Sequence, residues 1–241
     1  MRIVIFGASG GTGRATVDRA LTAGHHITAV VRRPDALVAG SAQLVGSAQI
    51  AGPAQLVEPV QAAGPVQDAR RGSGARSGLA AVVVADLTDV DAVAEAVRGH
   101  DVVISALGTN AKGPVSVCAD GIAGILAGMD RAGVRRLIAV SAHGAAESHD
   151  RSLYCLALWA ALPHKMRDKE RMEQAIRDSG TDWTVVRPAA LNDKPYTGRY
   201  RTGTDLKIPL TAAVGRVDLA DFLLRESATP AYLRQFPRIA A

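Results

Sequence analysis

Residues 1–24 read MRIVIFGASGGTGRATVDRALTAG, and the stretch Gly7–Gly13 within them, GASGGTG, sits between an apolar run and a helix-like one. The run Arg2-Ile3-Val4-Ile5-Phe6 is short and β-branched, which predicts a buried strand. From Thr12 to about Ala23 the apolar positions Ala15, Ala20 and Leu21 fit a helix, and Gly24 stands where a stop belongs. Ile27–Val31 reads as a second strand. Strand, glycine turn, helix and strand make a βαβ unit. So much glycine at the first turn suits a backbone that something must approach closely, because glycine has no Cβ and tolerates positive φ.

Gly7, Gly10 and Gly13 form a GxxGxxG pattern in that unit. The helix N-terminus after it offers unpaired N–H groups and a partial positive charge, which suits a pyrophosphate. Gly7, Ser9, Gly10, Gly11, Thr12 and Gly13 are therefore the candidate pyrophosphate residues, with Ser9 and Thr12 adding hydroxyls. An acidic residue after the second strand would hold the ribose 2′-hydroxyl of NAD. Arg32-Arg33 stands there instead. Guanidinium groups suit a 2′-phosphate, so NADP(H) is the expected cofactor, the alternative being a solvated loop.

The strand–helix alternation resumes beyond residue 80. Strands are expected at Ala81–Ala85, Val102–Ala106, Leu137–Ser141 and Trp183–Arg187. Helices are expected from a Thr88 cap to Arg98, from Val115 to about Ala132, and over Lys165–Asp178. This predicts an α/β chain: a Rossmann-type doubly wound, mainly parallel sheet with helices on both faces. Residues 39–68 break the pattern with AGSAQL, VGSAQI, AGPAQL, VEPVQA and AGPVQD, followed by ARRGSGARSG. A six-residue period can signal a β-helix. A low-complexity insert at 39–78 within one domain, 1–241, is the favoured reading, since such short copies bury little surface.

Asp86-Leu87 ends the third strand at the carboxyl edge, where ligands bind in such sheets. Asp86 suits either an adenine amino group or the cap of the next helix. Leu107-Gly108-Thr109 follows the fourth strand, where Gly108 would let a ribose come close. Ser141 ends the fifth strand and is expected to face the cleft, and Lys169 on the following helix is expected to reach the nicotinamide ribose. These two are the candidate catalytic residues. No Tyr-x-x-x-Lys pair is present, because the residue four before Lys169 is Lys165. Tyr154 and His143 are the next candidates, although His143, like His149 and His164, reads as a surface residue.

Composition narrows the class. The net charge is +5 and aromatics are only 4%. Scattered basic residues with so few aromatics suit a protein handling a phosphorylated cofactor better than a nucleic-acid binder. No apolar run reaches the ~18 residues of a membrane helix. The first residues start a strand at once, unlike a signal peptide. Cys118 and Cys155 are far apart and lack metal-type spacing, so neither a metal site nor a disulfide is expected, and a reducing, cytoplasmic setting is. The expected partner is a small-molecule acceptor, with no nucleic acid or membrane, for a monomer or small homo-oligomer.

Taken together, GASGGTG, Arg32, Asp86-Leu87 and SGTDWTVVRPAAL (179–191) resemble the atypical short-chain dehydrogenase/reductase group, in its NAD(P)H-binding, NmrA-like branch. ALGTN (106–110), RMEQAIRDSG (171–180) and LNDKPYTGRYR (191–201) are most similar to the flavin reductase / biliverdin-IXβ reductase family. The resemblance covers residues 1–38 and about 80–228. It implies an NADPH-dependent reductase passing hydride to a flavin, quinone-like or linear tetrapyrrole acceptor. It places Gly7, Gly10, Thr12 and Gly13 at the pyrophosphate, Arg32 at the 2′-phosphate, and Leu107 and Gly108 beside the ribose. Ser141 falls at the active-site hydroxyl, to within one position, and Lys169 where the flavin reductases carry histidine. Some NmrA-like proteins are instead non-enzymatic NADP(H) sensors, and an epimerase or isomerase on the same fold would usually want a Tyr–Lys pair.

Overall fold

The computed structural model describes residues 1–32, 50–52, 55–56 and 78–241. Twelve strands and six α-helices follow in chain order: β1 Arg2–Phe6, α1 Gly11–Thr22, β2 His26–Val31, β3 Ile50–Gly52, β4 Gln55–Leu56, β5 Leu79–Val83, α2 Val90–Val97, β6 Val102–Ser105, α3 Val117–Ala132, β7 Arg136–Val140, α4 Leu153–Ala161, α5 Pro163–Arg177, β8 Asp182–Pro188, β9 Ala190–Asn192, β10 Arg201–Gly203, β11 Ala213–Gly215, α6 Arg216–Ala228 and β12 Arg238–Ala240. The main sheet runs β10-β12-β8-β7-β6-β1-β2-β5-β3-β4, and β9 and β11 form a separate parallel pair. Within it the six strands β5-β2-β1-β6-β7-β8 are all parallel and have the 3-2-1-4-5-6 order of a doubly wound dinucleotide fold. The Rossmann-type reading of the sequence holds. Apart from β3 and β4, the insert at 39–78 lies outside the described residues up to Ser77, and so does Arg33.

Alternation along β1 explains the two layers. Ile3 and Ile5 point to one face, where Val17 and Ala20 of α1 and Leu219, Phe222 and Leu223 of α6 cover them. Val4 and Phe6 point to the other, under Val93 and Val97 of α2, Ile122, Ile125 and Met129 of α3, and Met172 and Ile176 of α5. A strand buried on both faces has no polar side to show, hence its unbroken apolar run. On the second face α3 comes in close through Gly121, Gly124 and Gly128. A Cβ at Gly121 would lie 3.2 Å from Leu87 Cδ1, one at Gly124 would collide with the Leu87 carbonyl, and one at Gly128 with Val93. These internal glycines set how near α3 approaches α2 and the turn after β5.

Several boundaries differ from the sequence reading. Thr88 does not cap α2. Asp89 does, accepting from Ala92 N at 3.0 Å, while Asp86 Oδ1 accepts from Thr88 N one turn earlier. Helix α5 begins at Pro163 rather than Lys165, because proline at the first helical position needs no hydrogen-bond partner for its nitrogen. Among the described residues no helix is long and apolar enough to cross a membrane.

Candidate functional site

The order of strands reverses between β1 and β6, and the chain leaves the carboxyl ends of these strands in opposite directions. That opens a crevice between them. A cleft of about 350 Å³ lies there. It is floored by Phe6 and Gly7 after β1, Val30–Arg32 at the end of β2, Val84–Thr88 after β5 and Ala106–Gly108 after β6. Asp120 and Gly121 of α3 close one side. Of the candidate cofactor residues, Gly7, Ser9, Gly10, Arg32, Asp86, Leu87, Leu107 and Gly108 line this cleft. Gly11, Thr12, Gly13 and Thr109 stand outside its lining.

The glycine turn explains its own composition. Gly7 has φ +76°, and a Cβ on it would lie 2.6 Å from the Ala106 carbonyl oxygen, so this position joins β1 to β6 through bare backbone. A Cβ on Gly13 would run into the Gly7 carbonyl. Gly10 differs: its φ of −76° is ordinary, and its nearest neighbour is the Gly7 oxygen at 3.3 Å. Gly7 and Gly13 are thus needed by the fold, whereas Gly10 borders the cleft. Gly108 has open space where its Cβ would be, as a close approach from the cleft requires. The turn, the adjoining helix start and the open floor fit a dinucleotide.

Asp86 is exposed, and the hydrogen bond from the Thr88 N–H lowers its pKa, so it stays a carboxylate at the cleft mouth. It holds the turn after β5 and lines the cleft at once. Thr109 Oγ1 accepts from Ala111 N at 3.1 Å and shapes the loop after β6. The buried Asp168 of α5 accepts from Cys118 N and Ala119 N at 3.0 and 2.9 Å. It therefore occupies the N-terminus of α3, which Ser116 leaves uncapped.

Ser141 and Lys169 lie off the cleft's lining. Ser141, expected to face the cleft, is buried beside it: its N–H donates to Val186 O at 2.8 Å, and its Oγ has no partner among the described residues. A buried hydroxyl without a partner is rare enough to ask for a reason. Lys169 is not free to swing. Its Nζ donates to Leu107 O at 3.0 Å and Val140 O at 2.7 Å, tying together the chain ends that leave β6 and β7. An ammonium has three donors, so one remains.

The segment after β7 is fastened to α5 and β8. Ala146 N donates to Glu170 Oε1, and Arg187 pairs with Glu173 at 2.6 Å and with Glu147 at 2.7 Å. Burial opposes the charge of Glu147, yet hydrogen bonds from Arg187 and Arg177 bring its pKa down to about 2. Next to this network His143 is buried, and desolvation together with the charges of Arg238 and Arg187 lowers its pKa to about 4. It is a neutral imidazole at pH 7 and cannot serve there as a charged acid. Burial pushes the Tyr154 phenol up, so it keeps its proton. Its ring centroid lies 5.3 Å from that of His143.

His143, Asp150 and Cys155 bring ligand-type atoms within 4.8 Å of one another, a grouping the cysteine spacing did not suggest. Arg238 and Arg187 add positive charge beside His143, and burial pushes the Cys155 thiol up. Both effects oppose a cation, and the thiol already donates to Ser148 O at 3.4 Å.

Sequence reasoning missed α4, α6 and the strands β9–β12. Two signals were present: Ser152, whose side chain accepts from Cys155 N and caps α4, and the apolar spacing of VGRVDLADFLL at the start of α6. The missed elements matter, because Tyr154 of α4, Ala189, Ile208, Ala212 and Ala240 form a third apolar cluster beyond β7 and β8.

The family model described as NAD(P)H-binding matches residues 53–230. The UPF0659 protein YMR090W of Saccharomyces cerevisiae is 25% identical over 158 residues, 61% of this chain and 67% of its own. Among solved structures, ChuY of Escherichia coli O157:H7, titled an anaerobilin reductase, superposes with a TM-score of 0.72 at 22% identity, over 99% of this chain and 96% of that one. A short-chain dehydrogenase/reductase (wide type) of Veillonella parvula in complex with NADP gives 0.71 at 16% identity, over 100% and 94%.

Proposed function

Because the chain belongs to the NAD(P)H-binding family, we propose that it is an NADPH-dependent reductase of a planar, conjugated acceptor such as a flavin, a quinone or a linear tetrapyrrole. The observation that carries this reading is the cleft at the strand-order reversal, with a bare-backbone turn on its floor and Arg32 at its rim. Arg32 is exposed at the end of β2, where a guanidinium favours a 2′-phosphate. Asp86 would accept from the adenine amino group, and Gly108 would admit the ribose. The reductase named ChuY and the NADP complex of the V. parvula protein have this fold and lend the reading weight.

Bound NADPH supplies a hydride. The chain's own work is to hold, orient and exclude water. Lys169 fixes the ends of β6 and β7, and with them Leu107 and Ser141. Ser141 Oγ has no partner among the described residues and would donate to a carbonyl or ring nitrogen of a molecule that reached it. His143 stays uncharged and Tyr154 keeps its proton, so an arriving proton would come from solvent.

NADPH oxidation against a panel of flavins, quinones and linear tetrapyrroles tests the reading. Turnover with at least one planar acceptor is expected, with Ser141→Ala slowing it by about tenfold, less than the 10²–10⁴ of a true general acid. Tight NADPH binding with no turnover on any acceptor would favour a non-enzymatic sensor instead.

A further inference from the structure

Arg216 opens α6, far in sequence from the glycine turn, yet its side chain lies on that turn. Its Cδ and Nε both stand 2.9 Å from where a Cβ on Gly11 would be. A side chain at position 11 would therefore push Arg216 off the turn, and glycine there leaves room for it. Gly11 is the first residue of α1. Within α1, Arg14 is the first whose N–H reaches a carbonyl of the turn, Gly10 O at 2.9 Å. The N–H groups of Gly11, Thr12 and Gly13 have none within the helix. Free backbone donors and a guanidinium thus meet at one end of α1.

What holds Arg216 there is weak. Its Nη1 pairs with Asp193 Oδ1 at 2.6 Å, but the Asp193 side chain is 86% exposed and that of Arg216 27%. A pair with so wet a partner contributes little. The other carboxylates of α6 near this end are engaged elsewhere: Asp218 with Thr197 and Gly198, Asp221 with Arg19 and Tyr200. A phosphate can accept two parallel hydrogen bonds from a guanidinium and easily displaces a solvated carboxylate.

We propose that Arg216 is a pyrophosphate-binding residue that exchanges Asp193 for a phosphate oxygen when the dinucleotide enters. The inference rests on the cofactor reading above and adds a residue from the far end of the chain. Asp193 is then the competitor that holds the guanidinium in place beforehand.

Titration of the full chain with NADPH, NADH and 2′-AMP separates the possibilities, because 2′-AMP carries the 2′-phosphate but no pyrophosphate. Arg216→Ala is expected to weaken NADPH and NADH alike by about tenfold and to leave 2′-AMP unchanged. Asp193→Ala is expected to tighten NADPH by about two- to fivefold, and Gly11→Ala to weaken it by displacing Arg216. Opposite signs for the two partners of one ion pair are not what a structural bridge would give. Unchanged NADPH affinity in Arg216→Ala, an equal loss of 2′-AMP, or weaker NADPH binding in Asp193→Ala would each overturn the proposal. If the parent bound neither NADPH nor 2′-AMP, the cofactor reading itself would fall.

Discussion

At the scale of single residues, the glycines of one turn divide into two kinds. Gly7 is fixed by the Ala106 carbonyl and its positive φ, so Gly7→Val is expected to cost roughly 1–3 kcal/mol or more in stability. Gly10 meets only the Gly7 oxygen at 3.3 Å, so Gly10→Val should melt close to the parent yet fail to bind NADPH, its side chain filling the cleft. Thermal melts beside cofactor titrations check both. Arg32 carries the second expectation. On the proposed reading a charged hydrogen bond from Arg32 to the 2′-phosphate would set an NADPH preference, and Arg32→Ala should reduce that preference by about 10- to 100-fold with little change for NADH. Comparing the two dissociation constants for parent and variant decides it. An NADPH preference that survived the change would move the 2′-phosphate to another group.

At the scale of elements, the segment between β7 and α4 has a built-in pH response. An unfolded histidine takes up a proton near its ordinary value of 6.5, but folded His143 refuses one until about pH 4, through burial and the charge of Arg238. The unfolded state therefore binds more protons between those values, and stability falls as pH drops through that window. Glu147 and Asp150, with pKa values of about 2, stay ionised throughout it. His100 and His25 are shifted down as well, so the clean measurement is a difference. The melting temperature should fall less between pH 7 and pH 4.5 in His143→Gln than in the parent, by several degrees. Equal falls would remove His143 as the source.

At the scale of the whole molecule, the sheet constrains the insert. Strands β2 and β5 are parallel neighbours, paired from Ile27↔Leu79 to Val31↔Val83. The chain between them must return from one end of the sheet to the other, which takes a crossover of about a dozen residues. Removing residues 39–78 while keeping a crossover of that length is expected to shift the melting temperature by only a few degrees. Joining Val31 to Leu79 by about four residues in all should unfold the chain, because β5 could no longer reach its place. The parallel core was legible in the sequence because its strands are buried on both faces and so read as plain apolar runs between helices. The glycine turn was legible because close backbone approach leaves glycine as its mark. Lys169 was found, but its role was not: nothing in a sequence says that an ammonium will be taken by the Leu107 and Val140 carbonyls. Strands β9–β12 are three residues each and pair with distant segments, so they carry no period to read. Arg216 was invisible for the same reason, since its contact with Gly11 exists only after α6 has docked on α1.

Strand β12 follows every other element in the chain, yet it lies between β8 and β10. On a ribosome, β8 would therefore leave the exit tunnel with one flank bare, and that flank would stay bare until Arg238–Ala240 had been made. β10, already synthesised, could not cover it, because its only register runs through β12. An unpaired flank beside so apolar a strand is an invitation to foreign strands. The nascent protein would need Arg238–Ala240 before that flank was closed.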